Sequence, residues 1–381
     1  MKKPLIFSFI GIIALVFVYY IFTQLRTPQN TKIPGAIQIK ESDNPNPINL
    51  TEETKSIKNA KIEIVAEDLN IPWEIAFLPS GDMLVTQRSG ELLKIGAETK
   101  LVAEIQGVNH TSEGGLLGLA LHPKFEENNY IYLYFTSSED GRITNRVERY
   151  KLIGEEISDR KIILRGIAGA ANHDGGRIAF GPDGFLYITT GDAQEEGSAQ
   201  DKTSLSGKIL RISDEGEIPS DNPFGNEVWS MGHRNPQGLA WDTEGILWST
   251  EHGPSGLGSG YDELNRIEKG GNYGWPIIKG DEVGEGLAQP SIHSGSDDTW
   301  APADLAYLKG HLYFSGLRGS SLYSVNTGEV KFNLQRHFED VYGRIRAVVA
   351  GPDGNLYFST SNRDGRGIPK QNDDKIYKII L

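Results

Sequence analysis

The 381-residue chain has no cysteine. That absence excludes a disulfide framework, a thiolate metal site and a cysteine nucleophile. Positive charge is also in short supply: 38 Lys and Arg stand against 51 Asp and Glu, a formal net charge of −13. Nucleic acid and anionic lipid are therefore poor partners for the folded part of the chain. Glycine is what the sequence has in plenty, with 45 residues against a usual share of about 7%. It shows no Gly-X-Y period, so the excess points to many tight turns and to an all-β protein rather than collagen. The length would give two or three domains at about 150 residues each, but all-β architectures often run longer as one unit.

A run without charge extends from Pro4 to Thr23, preceded by Lys2 and Lys3. About 20 such residues suffice to cross a bilayer as a helix. The run ends Tyr19-Tyr20-Ile21-Phe22-Thr23-Gln24-Leu25-Arg26, without the small residues of a cleavage site. Residues 1–26 are therefore read as an uncleaved signal-anchor, a transmembrane helix with its two lysines in the cytoplasm. The rest of the chain would lie on the extracytoplasmic side, periplasmic or at the cell surface, and would be secreted if the segment were cleaved. Residues 27–59, with many Pro, Asn, Ser, Asp and Glu, read as a flexible tether. A folded domain is expected over 60–381.

Within that domain one pattern recurs: a short apolar strand, a turn with Pro and Gly, and a second apolar or aromatic strand. It runs from Ile75 to Thr86, Ile178 to Thr189 and Val348 to Ser359, with looser copies at Leu239 to Trp248 and Leu305 to Phe314 and a longer-turned copy at Leu119 to Phe135. Turn chemistry and strand propensity make each a hairpin. Six hairpins, with outer strands such as Glu91 to Ile95, Arg146 to Leu152, Lys208 to Ile212, Ser321 to Val325 and Lys375 to Ile380, allot about 50 residues to each unit. This is the arithmetic of a six-bladed β-propeller. Trp241, Trp248, Tyr187 and Tyr357 fall in these strands and are read as core.

In antiparallel hairpins, the residues before the first strand and after the second lie at one end of the blade, so the two sets should ring one mouth. Counting back from the turns gives Glu113, His173, Arg234 with Asn235, Arg344 and Arg346. The second set holds Arg88, Asp192, Glu251 to Pro254, Arg318, and Ser361 with Asn362. Five arginines and a histidine thus meet three carboxylates, Glu113, Asp192 and Glu251. Several guanidiniums around one mouth suit a ligand with more than one carboxylate or phosphate. A histidine beside an aspartate suits proton abstraction. Gly253-Pro254 leaves carbonyls free, the hard oxygen ligands that calcium takes. Read singly, Arg88 is a solvated or paired surface charge, and His122, His233 and His252 are structural or stand behind the residues that would touch a ligand.

The runs His233-Arg234-Asn235-Pro236-Gln237-Gly238-Leu239, Glu113-Gly114-Gly115-Leu116-Leu117-Gly118, His173 through Gly184, Glu251-His252-Gly253-Pro254, Gly271-Asn272-Tyr273-Gly274-Trp275-Pro276 and Gly343-Arg344-Ile345-Arg346 resemble, in order, the soluble aldose sugar dehydrogenases that use pyrroloquinoline quinone, the glucose/sorbosone dehydrogenase family. The resemblance covers Leu69 to the C-terminus and implies a six-bladed propeller. It further implies that His173 is the general base for the C1 hydroxyl of an aldose while hydride passes to the quinone, with Asp192 supporting it. Arg234, Asn235, Arg318, Arg344 and Arg346 would contact the cofactor, and the Gly253 and Pro254 carbonyls would hold a calcium ion. An external electron acceptor would complete the reaction. Glu113 stands in the cofactor site where some members have glutamine. A carboxylate there requires a cation, a proton or calcium beside it. Two other readings stay open: a non-enzymatic propeller binding protein of the Hedgehog-interacting type, which Glu113 keeps alive, and a calcium-dependent propeller lactonase, against which the arginine ring argues.

Overall fold

The computed structural model describes residues 57, 59–256 and 259–381. The signal-anchor of residues 1–26 and nearly all of the tether lie outside the described residues. Among those described, no helix is long and apolar enough to cross a membrane. Ile57, placed in the tether by its sequence, is buried in a cluster with Ile345, Leu356 and Ile379.

The described chain forms a six-bladed β-propeller, six four-stranded antiparallel sheets in sequence order. The first blade is β2 (Pro72–Phe77), β3 (Met83–Gln87), β4 (Glu91–Ile95) and β5 (Thr99–Glu104). The second is β6 (Leu116–Leu121), β7 (Tyr130–Glu139), β8 (Arg142–Ile153) and β9 (Glu156–Ala168). The third is β10 (Ile178–Phe180), β11 (Leu186–Thr190), β12 (Lys208–Ile212) and β13 (Val228–Met231). The fourth is β14 (Pro236–Trp241), β15 (Leu247–Glu251), β16 (Glu263–Ile267) and β17 (Ile292–His293). The fifth is β18 (Pro302–Leu308), β19 (His311–Gly316), β20 (Ser321–Asn326) and β21 (Gln335–His337). The sixth combines β22 (Ile345–Ala350), β23 (Leu356–Thr360) and β24 (Ile376–Ile380) with β1 (Lys61–Ala66) from the other end of the domain.

Each sequence hairpin is the inner pair of a blade, as the pairings Ile75 with Val85, Leu119 with Leu133, Ile178 with Ile188 and Val348 with Phe358 show. The turns explain themselves. Gly184 and Gly354 have φ of +79° and +73° with open space around them, so backbone conformation alone selects glycine there. The preceding Asp183 and Asp353 accept the hydroxyls of Tyr187 and Tyr357 at 2.9 and 3.0 Å, pinning the second strand to its turn. Tyr187, Trp248 and Tyr357 are buried as expected, and Trp241 is half-buried. Antiparallel pairing of β1 with β24, from Lys61 opposite Ile380, closes the ring. This closure joins residues over 300 positions apart and left no local signal.

The hydrophobic core is divided among the six blade-to-blade contacts. Tyr132 and Ile178 meet between the second and third blades, Tyr187 and Leu247 between the third and fourth, and Val85 and Tyr357 across the closure. At the axis the packing turns polar. Arg177, only 3% exposed, pairs with Glu74 of the first blade and with Asp304 of the fifth at 3.1 Å. It also donates to the carbonyls of Gln237 and Ala303 at 2.9 and 3.2 Å. Burial pushes the Glu74 and Asp304 carboxyls up, against the pull of Arg177. Acids whose pKa is higher folded than unfolded lend stability at low pH and lose it as pH rises. Arg177→Met leaves two buried carboxyls without their cation. It is expected to cost about 3–5 kcal/mol, read as a lower urea midpoint.

Candidate active site

One mouth of the propeller opens on a cavity of 620 Å³. Its lining includes Glu113, His173, Asp192, Arg234, Gly253, Pro254, Arg318, Arg344 and Arg346. The antiparallel-hairpin argument thus placed nine predicted residues at one end of the fold. The tenth, Asn235, stands behind the wall, where its Oδ1 accepts the Gly175 N–H at 3.0 Å.

His173 sits just before the third blade with φ of +67°, a left-handed conformation that costs a non-glycine residue on the order of 1–3 kcal/mol. Glycine makes room for it: a Cβ on Gly191 would lie 1.8 Å from the His173 carbonyl oxygen. The ring donates from Nδ1 to Asp192 Oδ1 at 2.7 Å. Asp192 is fully buried at the end of β11 and also accepts the Gln194 N–H at 2.8 Å and the Trp275 indole N–H at 2.9 Å. Burial works against its charge, but the bonds from His173, Gln194 and Trp275 outweigh it and hold the carboxyl below its ordinary value. With Nδ1 engaged, Nε2 is the nitrogen left to take a proton.

The arginines divide into two kinds. Arg344 is matched, its Nε 2.8 Å from Asp364. Arg234 and Arg346 are buried, 6% and 4% exposed, and form no ion pair among the described residues. Arg234 donates to Ser255 Oγ at 2.8 Å and lies 5.4 Å from the Trp275 ring centroid. Arg346 donates to Gln237 Oε1 at 3.0 Å and lies 5.8 Å from the centroid of Trp73. Burial, with Arg88 and Arg344 nearby, brings Arg346 down to about 9, and burial lowers Arg234 too. Carboxylates reach both only from farther off, Asp192, Glu251, Glu113 and Asp262 for Arg234, Asp364 and Glu113 for Arg346, so these are buried cations that the chain leaves without a direct partner, a costly arrangement. Arg318 is exposed on the rim.

Gly253 and Pro254 follow β15. The Gly253 N–H is held by Asp262 Oδ1 at 2.9 Å, and Asp262 Oδ2 gathers Thr299 Oγ1 and the amides of Trp300 and Ala301 at 2.7–2.9 Å. A Cβ at position 253 would lie 2.0 Å from the Gly260 carbonyl, so this chain crossing requires glycine. The expectation for Arg88 is corrected: it is no surface charge but 5% exposed, bonded through Nε to His110 at 3.3 Å. His233 is structural as expected, buried between Ser230 and Glu251 at 2.8 Å each. His252 lines the cavity, and burial pushes it down to about 4.

Sequence reasoning missed three contributors. Trp275 orients Asp192, Trp73 reaches the cavity from the axis, and Arg366 meets Glu113 at 2.5 Å. Trp275 lay inside a quoted motif, and a tryptophan N–H needing an acceptor was the available signal. Arg366, in Asp364-Gly365-Arg366-Gly367 after β23, carried no such mark.

The family model described as glucose/sorbosone dehydrogenase matches residues 69–370. The chain belongs to that family. It is an oxidoreductase on the same footing. The aldose sugar dehydrogenase YliI of Escherichia coli K12 is 34% identical over 344 residues, covering 80% of this chain and 91% of the relative. The quinoprotein glucose dehydrogenase B of Acinetobacter calcoaceticus is 32% identical over 277 residues, 63% of this chain and 57% of that protein. The PQQ-bound aldose sugar dehydrogenase of Streptomyces coelicolor superposes with a TM-score of 0.78 at 39% identity, covering 85% of this chain and 98% of the other. Trp275→Phe in this family member removes one donor to Asp192. It is expected to raise the Asp192 midpoint and to cost about 1 kcal/mol. Stability that Asp192 lends above its unfolded pKa is lost as pH falls, so acid unfolding of the variant should begin at higher pH.

Proposed function

We propose that the protein is a pyrroloquinoline-quinone-dependent aldose dehydrogenase that oxidises the C1 hydroxyl of an aldose to the lactone. The observation that carries this reading is the pairing, on one cavity, of an Asp192-oriented His173 with two buried guanidiniums that have no carboxylate. The donor set fits the cofactor: Arg346 Nε, Asn235 Nδ2 and His252 Nε2 are buried with no hydrogen-bond partner among the described residues. Arg234, Arg318, Arg344 and Arg346 would hold the carboxylates of the quinone, with Asn235 beside them. The carbonyls of Gly253 and Pro254 would hold a calcium ion. What the bound group supplies is acceptance of hydride, made easier by a cation that polarises its carbonyl.

The chain's own residues do the proton chemistry. Asp192, kept ionised by three donors, fixes the tautomer with hydrogen on Nδ1 and stabilises the imidazolium that forms. Nε2 of His173 takes the hydroxyl proton as the C1–H bond is broken. Trp275 holds the second oxygen of Asp192, so the pair keeps one orientation. Arginines buried in the wall act on a ligand more strongly than they would in water.

Full-length protein supplied with pyrroloquinoline quinone and calcium is expected to reduce an artificial electron acceptor when aldoses are added, and to melt at a higher temperature with the quinone. The absence of both responses in the wild type would sink the reading. His173→Ala should still bind the quinone but lose about 10²–10⁴-fold in turnover; unchanged turnover would remove the assigned base. The extracytoplasmic placement and the N-terminal membrane anchor belong to the same proposal, supported by the uncharged run from Pro4 to Thr23. A C-terminal reporter that is active only outside the cytoplasm, in the membrane fraction, is the expected result.

A further inference from the structure

Glu113 is the position at which the sequence conflicts with an anionic ligand, and the structure answers the conflict. Its Oε2 accepts the backbone N–H of His173 at 3.0 Å. Its Oε1 meets Nη1 of Arg366 at 2.5 Å, and Nη2 of Arg366 donates to Asn172 Oδ1 at 2.8 Å. One guanidinium from the sixth blade therefore grips the residue before the second blade and the residue next to His173. The loop that delivers it is itself fixed. The Arg366 N–H donates to Asp364 Oδ1 at 2.9 Å, and Asp364 Oδ2 takes Nε of Arg344 at 2.8 Å.

Two needs meet here. His173 holds a left-handed backbone conformation, and something must fix it. A carboxylate in a cavity that calls for an anion must be neutralised. We propose that Glu113 is a positioning residue for His173, and that Arg366 is the counter-ion that lets a carboxylate stand in this anion-binding cavity. The counter-ion half rests on the quinone reading above; the positioning half does not. Glu113 faces Arg366 from the sixth blade, the His173 amide from the third and His252 from the fourth, with Arg88, Arg234 and Arg346 at longer range. Burial alone would raise its carboxyl, but these neighbours bring it down to about 2.

The test is a mutant cycle on the full-length protein with pyrroloquinoline quinone as the titrant and calcium present. Arg366→Gln is expected to weaken quinone binding about tenfold, because it leaves the largely buried Glu113 carboxylate uncompensated in the cavity. Glu113→Gln keeps the acceptor for the His173 amide and should bind at least as tightly as wild type. Adding Glu113→Gln to Arg366→Gln should restore affinity to within about threefold, a rescue that a merely structural pair would not show. Without cofactor, amide hydrogen exchange at His173 should speed up in Glu113→Ala and stay slow in Glu113→Gln. Wild-type affinity in Arg366→Gln, or a double variant no better than that single one, overturns the counter-ion role. Unchanged exchange in Glu113→Ala overturns the positioning role. If wild type takes up no quinone while Glu113→Ala accelerates exchange, the cofactor reading and the counter-ion role fall together and positioning stands.

Discussion

Everything in this propeller turns on the buried charge knot at its axis. A ring of six sheets leaves a central hole in which the inner strands end in polar groups, and Arg177 fills it with Glu74, Asp304 and the carbonyls of Gln237 and Ala303. The first, third and fifth blades thus share one cation, and Asp304 also takes the Val348 amide of the sixth blade at 2.9 Å. Such a knot adds little net stability over an apolar plug of similar shape. Its consequence is architectural. Arg177 lies 4.2 Å from the centroid of Trp73, and Trp73 and Arg346 both line the cavity. A tube is thereby made into a cup, with the site above and a separate, largely apolar mouth below.

The cup holds charge in two states. Arg344 and Arg366 have carboxylate partners supplied by the chain, whereas Arg234 and Arg346 have none. The second kind has most to gain from an anion, because their desolvation has already occurred on folding and no carboxylate of the chain has offset it. The mainly acidic composition is thus no guide to the mouth. The net charge of −13 is a sum over the surface, while recognition depends on which cations remain unmatched inside.

Much of the fold was legible because its information is local and repeated. A turn such as Gly181-Pro182-Asp183-Gly184 carries its own instructions: glycine for a positive φ, aspartate for the tyrosine hydroxyl four residues on. Six copies fix the architecture, and antiparallel geometry then fixes which residues share a mouth. The reading failed where partners are remote. Arg88 and Arg366 differ in nothing local from surface arginines. One is buried against His110, and the other reaches from residue 366 to residue 113. The fourth strands went unread: the outer strands legible in the sequence are the third of their blades, while outermost strands such as β17 and β21 are short and carry little apolar alternation.

By itself, then, the sequence determined the blade count, the mouth at which the candidate residues gather, and the His173–Asp192 pair with its arginine company, because each follows from short-range pattern and strand direction. Tertiary structure decided which charges cancel. Whether Glu113 repels a ligand or steadies His173, and whether an arginine is spent on an aspartate or left waiting, depends on distances between blades. Those distances are set by closure of the ring through β1 and by packing at its axis, and no local stretch of the chain contains them.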